Sequence, residues 1–228
     1  MPRRNFAVEN KMKITGAIFD LDGTLLDSNY VWKTLGKVYL ETKGMIPQDD
    51  LQEKLKATSL RDAAEIFKED YEVSGTVEEI MDEINKAVEH HYFHVVQPKK
   101  GVPELLERFH RAGIKMCVAT ATDRYQVEAA LERCNLLHYF GEVFTCSELG
   151  VNKHTTHIYD AASAFLGTEK DSTFVFEDAH FAMVTAKKAG LRVAGVVDSH
   201  SAGQPAKMKE TGDLYFETME GSWECFDI

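Results

Sequence analysis

Long apolar runs are missing from this sequence. No stretch approaches the ~20 residues needed to cross a bilayer, so we expect no membrane partner. Cysteine is scarce. Cys117, Cys134, Cys146 and Cys225 form no CxxC pair and show no zinc-ligand spacing, which points to buried free thiols in a reducing cytoplasm. Basic charge is also short, with 26 Lys and Arg against 37 Asp and Glu and a formal net charge of -11. A nucleic-acid surface needs clustered Lys and Arg, so we expect no nucleic-acid partner. An acidic enzyme acting on an anionic substrate would need a metal ion or a local basic group. Residues 1–10 carry charge but no apolar core, so they read as a lead-in to the first strand, not a secretion signal. There are no internal repeats and no low-complexity tracts. What remains is a chain of 228 residues with ordinary globular composition, enough for one large domain or for a domain with a sizeable insertion.

Short apolar runs suited to buried strands occur at 14–19, 115–119, 142–145, 173–176, 191–197 and 214–216. Helical patterns lie between most of them. Residues 102–112 have Pro103 at the start and Gly113 past the end, the asymmetry expected of a helix. Asp123 with Gln126 reads as a capping box, and 179–189 ends at Gly190. Alternating strands and helices predict an α/β fold, a Rossmann-like doubly wound parallel sheet. From 29 to 97 there is helical periodicity only. Within 76–94, Val77, Ile80, Met81, Ile84, Ala87, Val88 and His91 share a face, and 30–42, 50–57 and 60–71 look like shorter helices. The expected organisation is a core of residues 1–28 and 98–228 with an inserted, all-helical cap at 29–97.

The first apolar run ends in Phe-Asp-Leu-Asp-Gly-Thr, residues 19–24. Alternating residues of an extended chain face the same way, so Asp20 and Asp22 can point at one spot. Two such anions repel unless a cation, a proton or a substrate sits between them. Asp22-Gly23 alone would make a turn, but that leaves Asp20 unexplained. In an open parallel sheet, ligands bind beyond the carboxyl ends of the strands. Thr120, Ala121 and Thr122 follow the second strand, Lys153 precedes a helix, and Glu177 and Asp178 follow the fourth strand. Four carboxylates, a hydroxyl and an ammonium at one rim suit phosphoryl transfer. A carboxylate can attack phosphorus, hard oxygen ligands select Mg²⁺, and the hydroxyl and ammonium bind the transferring oxygens.

These residues carry a resemblance to the haloacid dehalogenase superfamily, in its Mg²⁺-dependent phosphatase branch that includes phosphoglycolate phosphatase-like and beta-phosphoglucomutase-like members. Residues 20–24 resemble the first motif, Thr120 the second, Lys153 the third, and Glu177-Asp178 the fourth; the helical insertion resembles the cap. The resemblance implies that Asp20 is the nucleophile, and that Asp22 is the acid and then the base. It implies that Asp20, the Asp22 backbone and Asp178 hold Mg²⁺ with Glu177 nearby, and that Thr120, Ala121 and Lys153 bind the phosphoryl group. The implied activity is hydrolysis of a small phosphorylated metabolite through an aspartyl phosphate, by a cytoplasmic monomer or homodimer. The alternative is a phosphomutase using the same chemistry. Mutases of this type carry a hinge histidine ten residues after the second Asp, where this chain has Trp32, and the third motif reads Asn152-Lys153-His154 in place of Gly-Lys-Pro. A dehalogenase is disfavoured by Asp22 and Asp178, and a non-catalytic binding protein by the retention of both Asp20 and Asp22.

Further candidates are His154, His157, His180 and Arg124 at the rim, and Lys54, Lys56, Thr58, Ser59 and Arg61 in the insertion. His90, His91 and His94 read as a solvated helix face, since no carboxylate stands among them as in a metalloprotease motif.

Overall fold

Four consecutive buried residues, Gly16–Phe19, form the first strand, β1. The computed structural model describes residues 11–55, 58–200 and 204–228, so the expected lead-in at 1–10 and Lys56 lie outside the described residues. Along β1, Ala17 and Phe19 point to one face and Ile18 to the other, and each face has its own apolar layer. The other strands are β2 (Lys115–Thr120), β3 (Val143–Thr145), β4 (Thr173–Glu177), β5 (Arg192–Val196) and β6 (Leu214–Phe216). Every pairing is parallel, in the order β3-β2-β1-β4-β5-β6. All six expected strands form. The near-continuous apolar runs are explained by this arrangement, because a parallel sheet is covered on both faces. Phe19 pairs in register with Phe176, and their rings stack with centroids 4.5 Å apart.

Between β1 and the return to the sheet the chain forms only helices among the described residues: α1 (Asn29–Thr42), α2 (Leu51–Leu55), α3 (Leu60–Asp70) and α4 (Val77–His94). Ser59 with Asp62 and Thr76 with Glu79 form capping boxes that start α3 and α4. The buried stripe of α4 runs through Ile80, Ile84, Val88 and Tyr92 and includes Asn85. This rotation leaves Ala87 exposed, contrary to the face expected from its apolar neighbours. The remaining helices are α5 (Val102–Arg111), α6 (Arg124–Arg133), α7 (Cys146–Leu149), α8 (His157–Leu166), α9 (His180–Lys188) and α10 (Pro205–Thr211). The fold is a doubly wound α/β sheet with a helical insertion after β1.

One expectation fails at α6. Asp123 is its N-cap residue, but its side chain caps nothing. The carboxylate instead accepts from Asn85 Nδ2 of α4 (2.7 Å) and Ser147 Oγ (2.6 Å), so tertiary partners outcompete the local capping box. The two chain crossings between insertion and sheet are bonded to each other. Asp27 N–H donates to Gln97 O and Lys99 N–H to Leu25 O, both at 2.9 Å, with an antiparallel bridge between Leu26 and Pro98. The apolar cluster on the Phe19 face runs without a break into Leu35, Phe67 and Ile84 of the insertion. All four cysteines are free, with Cys117, Cys146 and Cys225 buried and Cys134 partly so.

Candidate active site

The strand order reverses between β1 and β4, and a crevice opens beyond their carboxyl ends. Asp20 leaves β1 with its N–H donating to Phe176 O of β4 (3.0 Å). The chain then turns tightly, with the N–H groups of Leu25 and Leu26 both donating to Leu21 O at 2.9 Å. Gly23 makes this turn possible in two ways. Its φ is +82°, and a Cβ there would lie 2.4 Å from Asp178 Oδ2 and 2.1 Å from Asn29 Nδ2. Only glycine lets the loop after β1 touch the loop after β4.

Asp20, Lys153, Glu177 and Asp178 are all buried at this point. Lys153 Nζ donates to Asp20 Oδ1 and to Glu177 Oε2 (2.8 Å). Glu177 also accepts from Tyr159 OH (3.3 Å) and from the Ala179 N–H (3.2 Å). Asp178 Oδ2 accepts from Asn29 Nδ2 at 2.7 Å. Burial, reinforced by Glu177, pushes the Asp20 carboxyl up to about 8 despite the opposing pull of Lys153. Burial, then the charges of Asp20 and Glu177, raise Asp178 well above the usual carboxylate range. Burial alone would lower Lys153, but Asp20 and Glu177 outweigh it and hold the ammonium well above its ordinary value. Carboxylate oxygens of Asp20, Glu177 and Asp178 lie within 4.8 Å of one another. One ammonium cannot balance three ionised carboxylates in a desolvated site, which is why Asp20 and Asp178 hold their protons so tightly. The donor set, all hard oxygen, fits a divalent cation.

Asp22 sits in a separate hydrogen-bond network. Its Oδ1 accepts from Ser28 Oγ (2.5 Å) and from Tyr92 OH, and its Oδ2 accepts from Thr122 Oγ1 (2.6 Å). Tyr92 comes from α4, and its hydroxyl in turn accepts from Trp32 Nε1 of α1 (2.6 Å). Burial first, then the Asp22 charge, keeps the Tyr92 hydroxyl protonated well above its ordinary value, so it remains a donor. Thr120 is buried at the end of β2, where its Oγ1 accepts from the Thr122 N–H (3.0 Å). Asp20, Asp22, Thr120, Ala121, Lys153, Glu177 and Asp178 all line one cavity of about 260 Å³, roofed by α1, α3 and α4. The structure thus brings together the residues of all four motifs.

Residues 17–196 match the haloacid dehalogenase-like hydrolase family. The chain belongs to that family. It is 26% identical over 188 residues to a phosphorylated carbohydrates phosphatase of Thermotoga maritima, covering 82% of this chain and 87% of that one. It is 25% identical to a pyrophosphatase of Bacillus cereus, covering 81% and 84%. The CbbY protein of Rhodobacter sphaeroides, solved in complex with phosphate, shares the fold with a TM-score of 0.77 at 20% identity, over 91% of this chain and 95% of that one.

Several side chains of this haloacid dehalogenase-like hydrolase fall elsewhere than the sequence suggested. Arg124 does not face the cavity as a binder of substrate anions. It is held by Glu148 (2.6 Å), Glu142 (3.1 Å) and Glu128 (3.4 Å) and donates to Val143 O. His180 turns to Thr211 Oγ1 (3.0 Å) of α10, away from the cavity. His154 stacks on Phe181 with centroids 4.5 Å apart, and His157 Nδ1 meets Thr155 Oγ1 (3.2 Å). Lys54 pairs with Asp50 and Asp70, and Arg61 with Glu78. Thr58 and Ser59 do line the cavity. His90 and His94 are exposed with rings 5.1 Å apart, as a solvated face predicts, but His91 departs from it, half-buried against the Tyr30 ring with centroids 5.9 Å apart. Sequence reasoning missed Ser28, Asn29, Tyr92, Thr122 and Tyr159 as partners of the carboxylates. A polar Asn85 and a Tyr92 hydroxyl on the apolar stripe of α4 were the available signal.

Proposed function

We propose that this hydrolase is a Mg²⁺-dependent phosphatase that cleaves phosphomonoesters of a small molecule through an aspartyl phosphate on Asp20. The observation that carries the reading is the buried Asp20–Lys153–Glu177 cluster with Asp178 beside it and Asp22 across the same cavity. Phosphatase and pyrophosphatase are also the activities named for two of its relatives.

Asp20 Oδ1 is engaged by Lys153, which leaves Oδ2 to attack phosphorus as the bond to the leaving oxygen breaks. Lys153 and Thr120 bind phosphoryl oxygens, with Ala121 completing that wall of the pocket. Asp22 gives its proton to the departing alkoxide. It then accepts a proton from the water that attacks the aspartyl phosphate, whose bond to Asp20 breaks to free inorganic phosphate. Mg²⁺ would be held by Asp20, Asp178 and the Asp22 backbone, and would neutralise the phosphate and carboxylate charges together. Glu177 is committed to Lys153, Tyr159 and the Ala179 N–H, so it orients the lysine and stands second to Asp20 and Asp178 as a cation ligand. We read residues 29–97 as a cap over this site, hinged at the paired crossings near Leu26 and Pro98. Transfer back to a sugar is the weaker reading, because the hinge position of the mutases holds Trp32, whose indole N–H is spent on Tyr92. Four free cysteines and the absence of any helix apolar enough to cross a membrane among the described residues support action in the cytoplasm.

The test is phosphate release from p-nitrophenyl phosphate and a panel of phosphomonoesters, with and without Mg²⁺, against Asp20→Asn. Release that requires Mg²⁺ and vanishes in the variant is expected. A panel on which the two proteins are indistinguishable refutes the reading.

A further inference from the structure

The cavity is chemically divided. All of its charged side chains (Asp20, Asp22, Lys153, Glu177 and Asp178) come from the sheet side, where a phosphoryl group and cation belong. The insertion contributes Trp32, Leu35, Leu55, Leu60, Phe67 and Ile84, and no charged side chain among the described residues. The polar groups on that side are largely committed. Asn29 holds Asp178, the Trp32 N–H holds Tyr92, and Thr58 Oγ1 donates to Leu55 O at 2.9 Å. Ser59 Oγ caps α3 through the Asp62 N–H, which leaves its O–H as a lone rim donor. Gly36 of α1 adds to the apolar roof. A Cβ there would meet Leu55 Cδ1 at 2.3 Å, so the packing of α1 on α2 depends on its bareness.

A bound monoester places its phosphoryl group at Asp20 and its alcohol portion under the insertion. A polyol there would bury hydroxyls against carbon with one or two partners to share, and buried polar groups without partners are disfavoured. A second phosphate or carboxylate would find no cation on that side among the described residues. Resting on the phosphatase reading above, we propose that the leaving group is a predominantly apolar alcohol or phenol, so that the substrate is the phosphate monoester of such a molecule. This departs from the carbohydrate phosphates and pyrophosphate named for its relatives.

The experiment compares kcat/KM for n-alkyl phosphates of increasing length, and for hexyl phosphate against a hexitol monophosphate, which has the same carbon count and a hydroxyl on each carbon that does not carry the phosphate. Each methylene that enters the apolar chamber should raise kcat/KM by about two- to fourfold until the chamber is full, and hexyl phosphate should exceed the hexitol ester by about tenfold or more. Leu60→Gln, at the half-buried rim, should lower the hexyl-to-ethyl ratio by about tenfold. A ratio taken within one variant does not depend on how much of it is folded. A flat alkyl series, or a hexitol ester turned over faster than hexyl phosphate, overturns the inference and leaves the phosphatase reading standing. An enzyme that releases phosphate from none of these esters, p-nitrophenyl phosphate included, refutes the phosphatase reading and this inference with it.

Discussion

Tyr92 is the one side chain of the insertion, among the described residues, that hydrogen-bonds the proposed acid and base, so Tyr92→Phe isolates what the insertion does for chemistry. The substitution keeps the ring, which is fully buried, and deletes only the hydroxyl. Asp22 then loses one of its three donors and keeps Ser28 and Thr122. A hydrogen bond to a charged group contributes about 1.5–3 kcal/mol. The Trp32 N–H also loses its acceptor, which costs about 1 kcal/mol more at a half-buried site. Urea denaturation should therefore show a loss of about 2.5–4 kcal/mol. If the hydroxyl fixes Asp22 for proton transfer, the same 1.5–3 kcal/mol appears in the barrier, so kcat falls by about 10- to 150-fold. KM should change little, because Tyr92 does not line the cavity. An alkyl ester, whose leaving oxygen must be protonated, should suffer more than a nitrophenyl ester, whose leaving group departs as an anion. A variant that is destabilised but keeps its kcat on both esters would refute the positioning role and leave Tyr92 as packing alone.

Lys153→Met strips its ammonium, the only one paired with these three carboxylates among the described residues. Breaking a buried pair in this way costs about 3–5 kcal/mol, so the variant should melt well below the parent at pH 8 and release no phosphate; a loss under about 1 kcal/mol would contradict the charge balance drawn above. The pH dependence of the cation-free protein follows from Asp20, raised from 3.8 to about 8 by burial and Glu177. The folded state keeps a proton there that the unfolded chain has released, so this contribution is full below about pH 4 and is lost as pH rises towards 8. Since a cation needs the ionised carboxylates, the rise in Tm on adding Mg²⁺ should grow across that window, and a rise that shrinks with pH would refute the ligand assignment. Arg124→Ala removes a surface cluster, not an anion-binding group. Its steady-state kinetics should match the parent within twofold with about 1 kcal/mol of stability lost, and a raised KM would return Arg124 to the site.

The parts of this molecule that were legible in the sequence are those whose cause is local. Each strand is a short apolar run because a parallel sheet buries both faces, and a run carries that signature wherever it pairs. Asp20 and Asp22 announce themselves by spacing, and Gly23 by the turn it permits. Local logic fails where a side chain has a better partner far away. Asp123 and Gln126 have the capping-box pattern, yet the carboxylate is taken by Asn85, 38 residues earlier, and Ser147, 24 later. Arg124 looked available because the three glutamates that hold it are 4, 18 and 24 residues further on.

The same reasoning explains why the supports of the site were hidden while its reactive groups were not. Tyr92 reaches Asp22 across 70 residues, Thr122 across 100, and Asn29 reaches Asp178 across 149. None of the three belongs to a spacing pattern, because each exists to join two segments that only the fold brings together. Two of them ride on the insertion: Asn29 opens α1 and Tyr92 lies near the end of α4. Asn29 bonds the carboxylate proposed for the cation and Tyr92 the one proposed for the proton. Any movement of the insertion about its paired crossings therefore acts on both at once. In this reading the apolar roof that selects the leaving group and the hydrogen bonds that set the carboxylates are carried by the same helices.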